Sequence, residues 1–306
     1  MKLSRRIVFL VTGVLLGCVP CWALAAEIAI ALTRSAPAHQ QFSEAIRARA
    51  SSLPHRLSDL GDSESGLDQT VLNRADAVIA VGARVAAEVL AQTSKPVLAV
   101  MLSQAQFSAL RGAHPGKPLS AIVLDQPISR QLKLAAAILP TGAQLGVLVG
   151  PDNGALLPEI RTASRETGVT VDVREVSSTD ELLQKLDSLL KANAVLLTLP
   201  DSLLASQSSA RTILLTSYRY RKPILAYSRA YVEAGALAAV YSSPEDVARD
   251  VADWVTDFNT KIAAPPTSSP PRQFSIAVNR QVARALGLEI ASDKALLDQV
   301  KGASRP

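Results

Sequence analysis

From Glu27 onward, short continuous apolar runs alternate with stretches in which apolar residues return every three or four positions. The runs "EIAIALT" (27–33), "AVIAVG" (77–82), "KPVLAVML" (95–102) and "LSAIVLD" (119–125) read as strands buried on both faces, and "HRLSDL" reads as a weaker one. Between them, "HQQFSEAIRARASS", a short segment from Asp68 to Asn73, and "ARVAAEVLAQ" predict helices; in the first, Phe42, Ile46 and Ala50 share a face. A Gly/Pro-containing loop occupies Gly112 to Pro118. The pattern then restarts. "AQLGVLVG" (143–150), "VTVDVREV", "AVLLTLPD" (194–201), "KPILAYS" (222–228) and "ALAAVYS" (236–242) are strands. "LLPEIRTASRETG", Asp180 to Lys191 and Ser208 to Tyr220 are the helices between them. Two α/β sets of similar size follow from this count, alike in architecture but not in letters.

After Pro244, "EDVARDVADWVTDFN" places Val247, Val251, Trp254 and Phe258 roughly on one helical face. "AAPPTSSPP" (263–271) is a stiff, extended linker. Beyond it, Phe274, Ile276 and Val278 alternate with polar or small residues as a strand does. Asn279 then caps a short helix that Gly287 and Leu288 close in a left-handed turn. A single strand and helix cannot bury their own apolar faces, so this tail must dock on a sheet already built.

With 306 residues and 48% hydrophobic content, the chain has enough apolar surface for one large or two medium domains, which excludes wholesale disorder. Its first residues carry Lys2, Arg5 and Arg6, then an apolar run from Ile7 to Leu16, then Ala23-Leu24-Ala25. That order predicts an export signal over residues 1–25, cleaved after Ala25, and hence a periplasmic protein. "LLGC" (15–18) offers a rival lipoprotein-type site at Cys18. Both cysteines, Cys18 and Cys21, fall in this segment, so no disulfide or cysteine metal site is expected in the mature chain. Its three cations account for most of the formal charge of +5, which falls to +2 without them, and no nucleic-acid partner is expected.

Three stretches resemble the substrate-binding components of ABC transporters, in the family that includes the tryptophan- and phenylalanine-binding lipoproteins. They are "DQPISRQLKLAAAILPTGAQLGVLVGPDN" (125–153), "GALAAVYSSPEDVARDVADWV" (235–255) and the tail "FSIAVNRQVARALGLEI". In the tail, Asn279, Ala283, Leu286, Gly287 and Leu288 repeat the family's strand-to-helix finish; the likeness spans most of residues 75–291. It implies a type I periplasmic binding protein: two Rossmann-like α/β lobes joined by crossing segments around a hinged cleft. The N-terminal lobe is expected over 26–124 plus about 243–263, and the C-terminal lobe over 125–242 plus about 271–306, with the Pro-rich linker at 263–271. The implied partners are a small-molecule ligand and an ABC permease or other inner-membrane protein, with the chain itself a monomer. Where family members carry Thr-Pro-Ala after the third strand, this chain has Ala83, Arg84 and Val85. Its 4% aromatic content also leaves few walls for an indole ring.

Ligands of open α/β sheets sit beyond the carboxyl ends of the strands. That rule selects Thr33, Arg34 and Ser35 after the first strand, Gly82 and Ala83 after the third, and Asp125 at the crossing. In the second set it selects Asp152 and Asn153, Asp201 and Ser202, and Ser228. Asp125 and Asp201 can accept from an ammonium group, and Arg34, Ser228 and backbone N–H groups can donate to a carboxylate. Helix capping is the competing role for Asp152, Asp201 and Asn279, and a solvated loop cation the competing role for Arg34. Catalytic motifs are missing: there is no G-x-S-x-G, no Walker loop and no G-x-G-x-x-G. His39, His55 and His114 have no second metal-type residue at ligand spacing, so neither metal nor cofactor is expected. The expected function is solute binding for an importer. An exported sensor of the same fold, signalling through a membrane protein, is the alternative.

Overall fold

The computed structural model describes residues 25–34, 36–140, 142–258 and 268–302. The expected signal segment up to Leu24, Cys18 included, lies outside them. Two six-stranded sheets organise the chain. The first contains β1 (Glu27–Leu32), β2 (Arg56–Asp62), β3 (Gly66–Leu67), β4 (Ala77–Val81), β5 (Val97–Leu102) and β6 (Leu119–Val123), in the order β3-β2-β1-β4-β5-β6. Its helices are α1 (Pro37–Arg47), α2 (Gln69–Arg74), α3 (Ala83–Gln92) and α4 (Gln104–Ala113). Every residue of β4, β5 and β6 is buried, which is why these segments carry no polar alternation.

The second sheet contains β7 (Leu145–Val149), β8 (Val171–Glu175), β9 (Val195–Thr198), β10 (Ile224–Ala226), β11 (Ala238–Tyr241) and β12 (Ser275–Val278), in the order β12-β11-β10-β9-β7-β8. The helices that follow α4 are α5 (Ile128–Ile138), α6 (Leu157–Thr167), α7 (Thr179–Ala192), α8 (Gln207–Tyr220), α9 (Arg229–Glu233), α10 (Pro244–Asp257), α11 (Arg280–Ala285) and α12 (Asp293–Lys301). None of the described helices is long and apolar enough to cross a membrane.

Both sheets are parallel apart from one antiparallel edge strand each, β3 and β12. β3 is a two-residue return from β2, and β12 arrives from α10 instead of through a helical crossover, so neither is bound to the parallel direction. The tail seats where its apolar positions require. Phe274 and Ile276 join the core of Leu132, Val147 and Leu197, and the Arg130 guanidinium lies 4.3 Å over the Phe274 ring. The turn at Gly287, with φ 68°, has Leu288 N–H donating to Ala283 O (2.9 Å) and Gly287 N–H to Arg284 O (3.1 Å), as the "LGL" pattern leads one to expect.

Although α10 follows the second sheet's β11, it packs against the first sheet. Val247, Val251 and Val255 are fully buried with Ile28, Ile30, Phe42 and Ile46. The buried stripe therefore runs through Val255, while Trp254 and Phe258, expected on it, lie partly buried at its margin with ring centroids 5.2 Å apart.

Candidate functional site

Because α10 belongs with the first sheet and β12 with the second, the chain passes between the sheets in three places: 123–128, 241–244 and 268–275. Polar side chains tie these passes to one another. Gln126, buried at the first, donates from Nε2 to Ser242 Oγ on the second (2.9 Å), and Ser242 Oγ donates to Gln273 O on the third (2.7 Å). Arg130 donates to Gln126 Oε1 (3.0 Å) and to Pro271 O (2.6 Å). Ser269 pairs beside β6, its N–H donating to Ala121 O (3.0 Å) and its carbonyl accepting from Val123 N–H (3.1 Å). At the start of α10, Asp246 accepts from Ser243 and from Ser275 Oγ (2.8 Å) and pairs with Arg249. Burial alone would raise the Asp246 pKa; the Ser243 N–H, the Ser275 and Ser243 hydroxyls and Arg249 together hold it below the usual carboxylate value.

Beside these passes lies a cavity of about 530 Å³. Its wall takes Gln104 and Ser108 from the helix after β5, Asp125 and Gln126 from the first crossing, and Asp152, Asn153 and Glu159 from the segment after β7. Pro200 after β9 and Ser268 and Pro270 from the third crossing also line it. The carboxyl ends of strands from both sheets thus converge on one space, the arrangement that strand polarity imposes on open parallel sheets.

Three carboxylates on this wall each accept from a backbone N–H of another segment. Asp125 Oδ2 accepts from Gln104 N–H (2.7 Å) at the first turn of α4, Asp152 Oδ2 from Ser202 N–H (2.7 Å), and Glu159 Oε1 from Ile128 N–H (2.9 Å). Burial pushes the Asp125 carboxyl above its usual pKa, and the N–H groups of Gln104 and of Asp125 itself offset this only in part. A raised carboxyl pKa contributes stability that is lost as pH climbs from the ordinary 3.8 through the raised value, so at neutral pH the ionised Asp125 is a cost to the empty protein. Among the described residues no group of three His, Cys, Asp or Glu is placed to hold a metal ion.

Of the residues selected from sequence, Asp125, Asp152 and Asn153 line the cavity. Asp201 stands immediately behind it, 4% exposed. Its Oδ2 accepts from Asp152 N–H (3.0 Å) and its Oδ1 from Leu203 N–H (3.0 Å) and Leu204 N–H (3.3 Å). Ser202 is joined to Asp152 through its backbone. Asp152 and Asp201 therefore brace each other's loops, and a Cβ at Gly150 would lie 2.1 Å from Asp201 Oδ1, which requires glycine there.

Thr33, Gly82 and Ala83 meet in the first sheet, away from the cavity wall. Thr33 Oγ1 accepts from Val85 N–H (3.2 Å), standing in for the cap that Gly82, with φ 96°, cannot provide. A Cβ at Gly82 would meet His39 Cε1 at 2.7 Å. Arg34 is exposed, 3.7 Å from Asp62, and Ser35 lies outside the described residues. Ser228 caps α9 through Tyr231 N–H (3.2 Å), and Asn279 caps α11 through Gln281 and Val282 N–H (3.1 Å each). Gln104 and Glu159 were not selected from sequence. The signal for Gln104 was present in "SQAQ" (103–106), a capping box that opens α4. Glu159 occupies the first turn of α6, where an acidic residue looks like ordinary helix electrostatics.

Residues 57–296 match the model of a family described as ABC transporter substrate binding protein. No curated protein is significantly similar to the chain in sequence. Among solved structures, the ligand-free, open form of a substrate binding protein with adhesive properties from Clostridium difficile is 18% identical, with a TM-score of 0.66 over 88% of this chain and 97% of that one. A conserved domain protein from Vibrio cholerae is 15% identical, with a TM-score of 0.58 over 90% and 98% of the two chains. The ABC domain in complex with L-Trp from Streptococcus pneumoniae is 19% identical, with a TM-score of 0.56 over 90% and 98%. At these identities the likeness is one of fold.

Proposed function

Because this chain belongs to the ABC transporter substrate binding protein family, we propose that it holds a small organic solute, an amino acid or one of like size, between its two lobes and delivers it to the permease of an ABC-type importer. The observation that carries the reading is the convergence of strand ends from both sheets on one cavity beside three bonded crossing segments. Its volume of about 530 Å³ falls in the usual range for small-ligand sites. No reaction is required of such a site. Solute contacts made only when the lobes are together shift the population toward the closed form, and that shape is what a permease reads.

Within this reading Asp125 and Asn153 contact the solute, together with Gln104, Asp152 and Glu159, while Asp201 acts by positioning Asp152. Among the described residues no Trp, Tyr or Phe lines the cavity, so they offer an aromatic amino acid no stacking wall. The working location is the periplasmic side, after removal of residues 1–25. The test is a thermal-unfolding screen of the exported protein against small organic solutes. A true ligand at 100 times its dissociation constant stabilises by about 2.7 kcal/mol, well above scatter. Absence of any stabilising solute across amino acids, sugars, organic acids and amines contradicts the proposal.

A further inference from the structure

The chain as a whole carries a formal charge of +5, yet the wall of the interlobe cavity reverses that sign. Asp125, Asp152 and Glu159 line it, and no Lys or Arg does so among the described residues. None of the three carboxylates has a cation within salt-bridge distance among the described residues, although twelve other such pairs form in the structure. Each spends one oxygen on a backbone N–H, which fixes the carboxyl group and leaves its second oxygen for another partner. Asn153 adds a neutral acceptor to the same wall. The residue is 6% exposed and lines the cavity, and its Nδ2 donates to Pro200 O (2.7 Å), which fixes the amide, while no donor among the described residues reaches its Oδ1.

We propose that the cavity selects solutes bearing a positively charged nitrogen group, with Asp125, Asp152 and Glu159 as counter-charges and Asn153 as a neutral acceptor. This rests on the solute-binding reading above and narrows it. Closing the lobes removes water from the wall, and a neutral solute would leave up to three carboxylates desolvated and unpaired, which opposes closure. A cation supplies the missing charge, so the same contact that binds it also permits the closed form. An anionic solute meets repulsion from the wall. A solute whose carboxylate needs a buried cation finds none on it among the described residues.

The test uses the whole exported chain and a set of small probes: putrescine, choline and methylguanidine against butanediol, glucose and glutamate. The cations are expected to raise the melting temperature and give saturable calorimetric titrations that weaken as salt increases, whereas the neutral and anionic probes leave the protein unchanged. Asp125→Asn, Asp152→Asn and Glu159→Gln each keep an oxygen for the backbone N–H they now serve. Each should lower affinity for the best cation at least tenfold, about 1.4 kcal/mol, without lowering the melting temperature of the empty protein. A neutral or anionic probe that binds where cations do not would overturn the charge assignment and leave solute binding standing. So would a triple variant with wild-type affinity. Failure of every probe, extended to the wider solute screen, overturns both.

Discussion

Replacing Asp201 by alanine separates bracing from ligand contact at the second sheet's strand tips. The carboxylate accepts three backbone N–H groups: Leu203 and Leu204 in its own turn, and Asp152 across the loop. Losing a cap of this kind costs about 1 kcal/mol. Leaving the part-buried Asp152 N–H without that partner costs about 1–3 kcal/mol more. The sum, about 2–4 kcal/mol, lowers the urea midpoint by roughly 1 M if the slope, about 2–3 kcal/mol per M, is unchanged. Asp201→Asn retains an acceptor for the Leu203 and Leu204 N–H groups but turns an amide donor toward Asp152, so an intermediate loss is expected. Equilibrium unfolding followed by far-UV circular dichroism, with solute affinity measured in parallel, checks both. A wild-type midpoint for the alanine variant combined with abolished solute binding would refute the reasoning, because the carboxylate would then have been free for the ligand.

Gln126→Leu removes the bond to Ser242 and the acceptor for Arg130, and should cost about 1–3 kcal/mol in urea unfolding; an unchanged midpoint would mean that the crossings are not tied as described. Val251→Ala empties part of the contact between α10 and the first sheet, with an expected loss of about 2 kcal/mol by the same measurement. Asp246 has a lowered pKa, so it contributes stability that is present above 3.8 and is lost as pH falls through its lowered value. The stability gap between wild type and Asp246→Asn should accordingly be widest near neutrality and narrow below pH 3.8, and a gap independent of pH would contradict the hydrogen-bond account.

The architecture was legible because burial on both faces removes polar alternation, and continuous runs such as "AVIAVG" have few other readings at that length. The tail was legible for a different reason: Asn279 and Gly287 are chemical punctuation whose geometry is fixed locally. What escaped was what depends on distant partners. The antiparallel sense of β12 follows from where α10 ends, which no local pattern encodes. The helices α4, α5, α9 and α12 went unread, although Ser103, Ser228 and Ser292 cap three of them.

At the site, strand-end logic located the right loops but could not rank the residues within them. Asp125 and Asp201 look equivalent in sequence, each an acid just past an apolar strand. One carboxylate takes an N–H from a neighbouring helix, besides its own, and lines the cavity, and the other is enclosed by three from elsewhere in the chain. Glu159 illustrates the converse, since its role follows from the approach of α5 and α6, which brings Ile128 N–H onto its carboxylate.

The central claim is a two-lobed clamp that closes on a solute. It is tested most directly by the distance between the lobes. Beyond Cys21 the chain has no cysteine, so spin labels at Arg84→Cys and Glu181→Cys, on helices that follow strand tips of the first and second sheets, report that distance alone. The account predicts a distance distribution that shortens and narrows when a solute saturates the protein. A distribution identical with and without bound solute would contradict it.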